Sequence, residues 1–468
     1  MGTAEEAICR FVSALQWQDI PEAVKGCARR CFTDTMAYII SGGKSVQFRA
    51  AEAVIDQNHA SRHYLAGQGL EQVNLYDSVL LNACAAHSEE YNDLFFGRPG
   101  HPSAVLVPVV LGLGFSQNAS ANSVMESYVA GLEVMALVNQ ALLPNAHKMG
   151  FHTTSVAGVV GAAAAAGKLL HLPQDGLERA LSIACTFACG LRANFGTLAN
   201  ALHVGNAAAA GLRAAQFAAA GFYTGTDLLS GSFLTCYGGS REQLEILAGS
   251  LGQTWAFLEP GLLIKKYPCC FSSYQAIEAA LNITEMPGFS YDRIEQVTCL
   301  TSENHFMSLP VFWPDTPYRA RFCIPYCVAA ALLQGNIDEA SFSEKMLHNT
   351  ALLRCRDRIR YDVDPRQRGE EGFGYSRIIV VQDSGQRFEA VSWPREEERA
   401  QCWDEKFLKN KFLNCCAWTF SKTQAQRVYD VCMHIDELRE ISELLCVLCR
   451  NEMPQTLCCY EYMARKAL

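Results

Sequence analysis

The residues able to do chemistry gather in four polar islands set among apolar stretches. The first is His87-Ser-Glu-Glu-Tyr-Asn-Asp93, continued by Arg98-Pro-Gly-His-Pro-Ser103. The others are Gly150-Phe-His-Thr-Thr-Ser155, Asn200-Ala-Leu-His-Val-Gly-Asn206 and Lys265-Lys-Tyr-Pro-Cys-Cys270. Histidine near carboxylates suits proton transfer around neutral pH, because a carboxylate sets the charge and orientation of an imidazole. The second island opens an apolar run, and a helix start there offers free backbone N–H groups and a positive dipole to a bound carboxylate. Each island alone also fits a quieter role: a solvated loop around His87, an N-cap by Thr153 or Ser155, a structural histidine at His203. Their common placement, at helix starts and at a change of texture, points to one pocket.

Other chemistries are excluded by what these residues lack. His87 and Glu90 stand at i, i+3 spacing, and Cys446-x-x-Cys449 followed by Cys458-Cys459 resembles a metal knuckle. Neither has the second, well-separated ligand pair of a closed site, so no metal is expected. Phosphate loops, dinucleotide fingerprints, nucleophile elbows and zinc-protease motifs are missing. The net charge of -9 comes from interspersed acids and bases, with no Lys/Arg stripe to meet nucleic acid. The apolar runs Ala104 to Phe115 and Val156 to Leu170 are shorter than the ~18–20 residues a membrane span requires, and the second contains Lys168. The start, Met1-Gly-Thr-Ala-Glu-Glu6, lacks the basic region of a secretory or transit signal, so the cytoplasm is the expected compartment. The 21 cysteines are spread along the chain, which favours reduced thiols packed as small hydrophobes.

The elements that must position the islands follow from periodicity. A chain of 468 residues exceeds what one hydrophobic core supports. From Ala4 to about Leu258 apolar residues recur at helical spacing, with stops at Ser41-Gly-Gly43, Pro144, Pro173 and Gly221. Asp19-Ile-Pro21 reads as a cap and early proline opening a helix through Met36. The small-sided run Val156 to Gly167 reads as the central helix of a bundle. After Lys265 strands appear: Arg293–Thr301, Arg358–Val363, and a hairpin of Arg377–Gln382 with Arg387–Ser392 around Asp383-Ser-Gly385. Ile324 to Leu333 reads as a buried helix ending at Gly335. Helical spacing returns at Trp403 to Phe412 and Thr423 to Leu448. The expected fold is mainly α: a large all-helical domain over 1–260, a smaller α+β lid over 261–402, and C-terminal helices over 403–468 returning to the helical domain. The cleft between the two units is the expected binding site.

These islands, taken in order, resemble the MmgE/PrpD family, which includes 2-methylcitrate dehydratase, cis-aconitate decarboxylase, iminodisuccinate epimerase and fungal alkylcitrate dehydratases. The resemblance runs from about residue 5 to 450. It is carried by His87 to Asp93, His101-Pro-Ser103, Gly150 to Thr153, Leu202-His-Val-Gly-Asn-Ala-Ala208, Lys265 to Cys270, and Ala320-Arg-Phe-Cys-Ile-Pro-Tyr326 with the apolar run to Gly335. It implies a homodimer that needs no cofactor and acts on a small carboxylic acid. It places His101, His152 and Tyr326 on catalytic positions and Lys265 on a basic position at the lid hinge. Glu90, Asp93, Asn200, His203, Lys265 and Cys270 are expected around the substrate, with Lys265 and His203 binding carboxylate and Glu90 and Asp93 tuning the imidazoles. The chain departs from the family pattern where Glu90 replaces Asp, Leu94 replaces Thr, Asn200 replaces Lys, and Cys270 replaces a histidine of the decarboxylase branch. The expected activity is a lyase, foremost a dehydratase of a 2-methylcitrate- or alkylcitrate-like acid. A cis-aconitate-type decarboxylase or an epimerase exchanging an α-proton are the alternatives, and a non-catalytic binding relative stands last.

Overall fold

A computed structural model describes residues 3–56, 58–309, 311–369, 374–394 and 404–449. The helical part is built from α1 (Ala4–Ala14), α2 (Glu22–Gly42), α3 (Leu75–His87), α4 (Pro102–Gln117), α5 (Ala121–Leu142), α6 (Thr153–Leu169), α7 (Gln174–Phe187) and α8 (Leu198–Ala219). α1 starts with a capping box, Thr3 and Glu6 each satisfying the other's backbone N–H. Pro21 stands at the cap of α2, while Asp19 closes the short turn before it and does not cap the helix.

Every residue of α6 is buried, and α4, α5, α7 and α8 pack around it. Its glycines and alanines explain how so many helices share one axis. A Cβ on Gly161 would lie 2.6 Å from Cβ of Met135 on α5, and one on Gly211 of α8 would lie 2.4 Å from Cβ of Ala162. Backbones therefore approach more closely than larger side chains permit, as in other small-residue helix contacts.

Two short strands tie this bundle to the chain that enters the lid. β1 (Leu94–Phe95) pairs antiparallel with β2 (Leu262–Leu263), Leu94 opposite Leu263. That register sets the first polar island beside Lys265. The lid itself contains α9 (Tyr274–Thr284), β3 (Ile294–Thr301), α10 (Ile324–Gln334), β4 (Ile359–Val363), β5 (Ser376–Gln382) and β6 (Arg387–Ser392). Its sheet has the order β4-β3-β5-β6, parallel between β3 and β4 and antiparallel elsewhere. β5 alternates buried and half-buried residues, and α9 covers β5 and β6 while packing on α10. Gly385 takes φ 77° in the hairpin turn, and Gly335 caps α10 at φ 68°.

The last helices, α11 (Glu405–Cys416) and α12 (Lys422–Met433), pack on α2. The buried pair Lys411 Nζ–Asp34 Oδ1 at 3.0 Å joins α11 to α2, and Asp436 takes a two-pronged contact from Arg29 at 2.7 and 2.9 Å. The expected continuous helix from Thr423 to Leu448 instead ends at Met433 and gives way to short turns. The cause is tertiary: Glu440 bridges Ser120, the Ile441 N–H donates to the Ala119 carbonyl at 3.0 Å, and Asn118 Nδ2 holds the Glu440 carboxylate. Seventeen of the described cysteines are reduced thiols, most of them buried, as expected; Cys446 is the exception and is disulfide-bonded. Trp403, Cys458 and Cys459 lie outside the described residues. No described helix is long and apolar enough to cross a membrane.

Candidate active site

Four helix ends converge where the bundle meets the lid. His87 is the last residue of α3, His101 stands at the cap of α4, His152 at the cap of α6, and Asn200 in the first turn of α8. Pro102 after His101 suits such a start, where its missing N–H would have had no partner within the helix. The His87 ring centroid is 5.0 Å from that of His101 and 5.9 Å from that of His152, and His152 lies 5.5 Å from His203.

Beside the imidazoles lies a buried ion pair. Glu90, in left-handed backbone at φ 52°, places Oε2 3.2 Å from Lys265 Nζ, and the same ammonium donates to the Glu90 carbonyl at 2.8 Å. Oε1 accepts from Asn200 Nδ2 at 2.9 Å and lies 3.3 Å from His87 Nε2. Burial pushes the Glu90 carboxyl up, but the Lys265 charge, with help from His87, outweighs it and holds the pKa below the usual value. Lys265 and Glu90 thus cancel one another within the site. Asn200 Nδ2 also reaches the Tyr318 hydroxyl at 3.2 Å, while its Oδ1 is buried without a partner.

All four imidazoles are shifted toward the neutral form. Burial is the largest cause in each, and it lowers His101 and His152 well below the usual histidine value; Lys265 and His87 add to the effect on His101, His87 and His203 to that on His152. His87 and His203 are lowered as well, again first by burial. Hydrogen bonds then assign the protons. His101 Nδ1 sits 2.7 Å from the Asp93 carbonyl, which can only accept, so Nδ1 carries the hydrogen and Nε2 keeps a lone pair. Asn194 Nδ2 donates to His203 Nε2 at 3.4 Å, leaving the hydrogen of His203 on Nδ1. That hydrogen is donated to His152 Nδ1 at 3.2 Å, so His152 carries its own on Nε2. At Nε2, His101 therefore carries a lone pair and His152 an N–H.

The remaining expected residues are placed unequally. The Asp93 carboxyl is turned to the N–H and hydroxyl of Ser103, away from the imidazoles, and touches His101 through its backbone carbonyl. Burial raises it to about 7. Cys270 lies near Glu90 and Lys265, and burial, then the Glu90 charge, raises its thiol to about 11. Tyr326 is not brought to the histidines. Two residues into α10, it is fully buried in the lid core, its hydroxyl donates to the Ser341 carbonyl at 2.7 Å, and its ring packs on Trp313 and Phe342. Tyr318, on the short helix Pro317–Ala320, is the tyrosine that reaches the site. Sequence reasoning also passed over Asn194 and Phe195, whose ring stands edge-on to His152 at 5.0 Å. Their signal was a polar turn bounded by Gly190 and Gly196, both at positive φ, between two apolar helices. Among the described residues no group of three His, Cys, Asp or Glu side chains is arranged to hold a metal ion.

The MmgE/PrpD N-terminal domain model matches residues 6–240, and the MmgE/PrpD C-terminal domain model matches residues 267–435. The chain belongs to the MmgE/PrpD family. It is similar to cis-aconitate decarboxylase of Homo sapiens, 24% identical over 79% of this chain and 79% of that protein. A cis-aconitate decarboxylase of Aspergillus terreus is 27% identical over 73% of this chain and 74% of its own length. The 2-methylcitrate dehydratase of Salmonella typhimurium is 27% identical over a shorter match, 41% of this chain and 43% of that protein.

Proposed function

We propose that the chain is a lyase acting at a carbon beside a carboxylate, foremost a dehydratase of a citrate-like acid. The observation that carries this reading is the opposite proton placement on His101 and His152. Dehydration needs a base at the carbon and a donor at the leaving group: His101 Nε2 takes the proton from the carbon, the His152 Nε2–H hydrogen-bonds the departing hydroxyl, and the proton returned by the His101 imidazolium completes the water that leaves as the carbon–carbon double bond forms. A buried, neutral pair serves this well, because the charge appearing on His101 is matched by the anionic substrate in a low-dielectric site. The lyase class is supported by the relatives, which are named as decarboxylases and a dehydratase.

Decarboxylation is the second reading, favoured by the similar cis-aconitate decarboxylases, whose matches are longer than that of the dehydratase. There the carbon–carboxylate bond breaks, carbon dioxide leaves, the electron pair stays on carbon, and His152 supplies the proton; no base is called for. The two are separated by incubating the wild type, His101→Ala and His152→Ala with 2-methylcitrate, longer alkylcitrates and cis-aconitate. Alkene absorbance, released carbon dioxide and solvent deuterium uptake are followed. A dehydratase loses turnover by ~10²-fold or more in both variants. Gas release that survives His101→Ala makes the enzyme a decarboxylase, and deuterium uptake without alkene or gas makes it an epimerase. An active His152→Ala variant removes the assignment of the site.

A further inference from the structure

A cavity of about 740 Å³ lies at the junction of bundle and lid, with Arg98, Pro99, Lys148 and Arg192 on one side and Glu303 and Met307 on the other. It adjoins the histidine cluster. Pro99 precedes His101 by two residues, its carbonyl accepts from Thr153 Oγ1 at 3.1 Å, and the Arg192 N–H donates to the Gly150 carbonyl at 2.9 Å, just ahead of His152. Its volume suits a small organic ligand.

The cavity supplies what the histidine cluster lacks. Lys265 is paired with Glu90 and burial disfavours charge on the imidazoles, so the ammonium nearest the histidines is already matched by a carboxylate. Arg192 and Arg98 differ in this. Arg192 Nη1 donates to the His147 carbonyl at 2.6 Å and Nη2 to Ser308 Oγ at 3.3 Å, both uncharged. A guanidinium has five N–H donors; with these two used, three remain, and the Nε one is buried without a partner. Arg98 contacts the neutral amide of Gln140 through Nη1. Among the described residues no carboxylate lies within ion-pair distance of either arginine, and Glu303 accepts from the Gly369 N–H at 2.7 Å. Two partly desolvated cations with no ion-pair partner among the described residues face one cavity, with Glu303 across from them, and suit an anion that arrives from outside.

We propose that this cavity holds a second carboxylate of the substrate, remote from the reacting carbon, on Arg192 and Arg98. Ser308 joins Arg192 to the lid, so occupation of the cavity also couples substrate binding to the lid's position. The nature of the acid rests on the lyase reading, but the binding does not.

Tricarballylate, a saturated tricarboxylate with nothing to eliminate, is titrated calorimetrically into the wild type, Arg192→Gln and Arg98→Gln, with the neutral triamide of the same skeleton as control. Each substitution is expected to weaken tricarballylate by about tenfold or more, without changing the response to the triamide. Wild-type affinity in both variants, an equal loss for the neutral triamide, or no binding of tricarballylate to the wild type overturns the proposal. Arginine-dependent binding with no turnover of any acid keeps the cavity and removes the lyase reading. Turnover whose KM is indifferent to both substitutions does the reverse.

Discussion

Individual side chains here act through the protons their neighbours assign to them. His101 keeps its lone pair on Nε2 because a backbone carbonyl holds Nδ1, a contact that no substitution of the Asp93 side chain removes directly. His152 depends on a longer chain, Asn194 to His203 to His152, made only of side chains. Asn194→Ala leaves His203 free to exchange tautomers, and His152 with it. The expected outcome is a fall in kcat of roughly tenfold with little change in KM, and mixed tautomers of His152 in ¹⁵N-detected NMR, where the wild type has one. An unchanged tautomer spectrum removes the relay, whatever happens to the rate. The first island's His87 and Glu90 do meet, as their spacing suggested, but around a left-handed turn at the end of α3 and not along a helix face.

Elements in the bundle are held apart by nothing larger than a hydrogen at several crossings. Adding a methyl group to a helical glycine ordinarily stabilises by up to ~1 kcal/mol through propensity. At Gly211 the new Cβ would also stand 2.6 Å from the Val159 carbonyl oxygen and 2.8 Å from the Ala163 nitrogen, and backbone atoms of a buried helix cannot swing aside. Gly211→Ala is therefore expected to cost about 1–3 kcal/mol, read as a lower urea midpoint. Gly249, which has open space around its Cβ position, is the control, and its alanine variant should be neutral or slightly stabilising. Equal behaviour of the two variants removes the close-packing account of α6 and α8. This feature was legible beforehand, because a run as small-sided as Val156 to Gly167 lets neighbouring backbones approach closely.

Across the whole molecule, the C-terminal helices and the bundle share charges that neither tolerates alone. Lys411 and Asp34 are both buried, Asp34 also accepts from the Tyr38 hydroxyl at 2.8 Å, and Lys411 donates to the Tyr91 carbonyl at 3.1 Å. Burial raises the Asp34 pKa above its usual value, the Lys411 charge opposing the shift. Lys411→Met strands the carboxylate and is expected to destabilise by about 3–5 kcal/mol, most of which returns in the double variant with Asp34→Asn. Denaturant unfolding of the three proteins checks this; a single variant as stable as the wild type shows that the pair does not anchor α11. Tyr91 follows Glu90 directly, so this anchor also steadies the turn that carries the site's carboxylate.

Local pattern decided the elements and their kind. Helical periodicity, the turn at Asp383-Ser-Gly385 and the stop at Gly335 are short-range effects, and each appears where the residues demand it. The same holds for the histidines, because a helix start is a local event and His101 and His152 both stand at the N-cap position of one. What faces what was decided only by the tertiary structure. Tyr318 and Tyr326 lie on adjoining helices of the lid, eight positions apart, yet only the first reaches Asn200, since the second points into the lid core. The helix beyond Met433 was lost to a bridge with Ser120, far away in the chain. Charge balance belongs to the same class: Lys265 reads in sequence as a free cation for substrate, but the pairing of Leu94 with Leu263 sets it against Glu90, and the cations left uncompensated at the junction are arginines from other turns. Periodicity is a property of neighbours along the chain, whereas the partner of a buried charge is set by packing between distant segments.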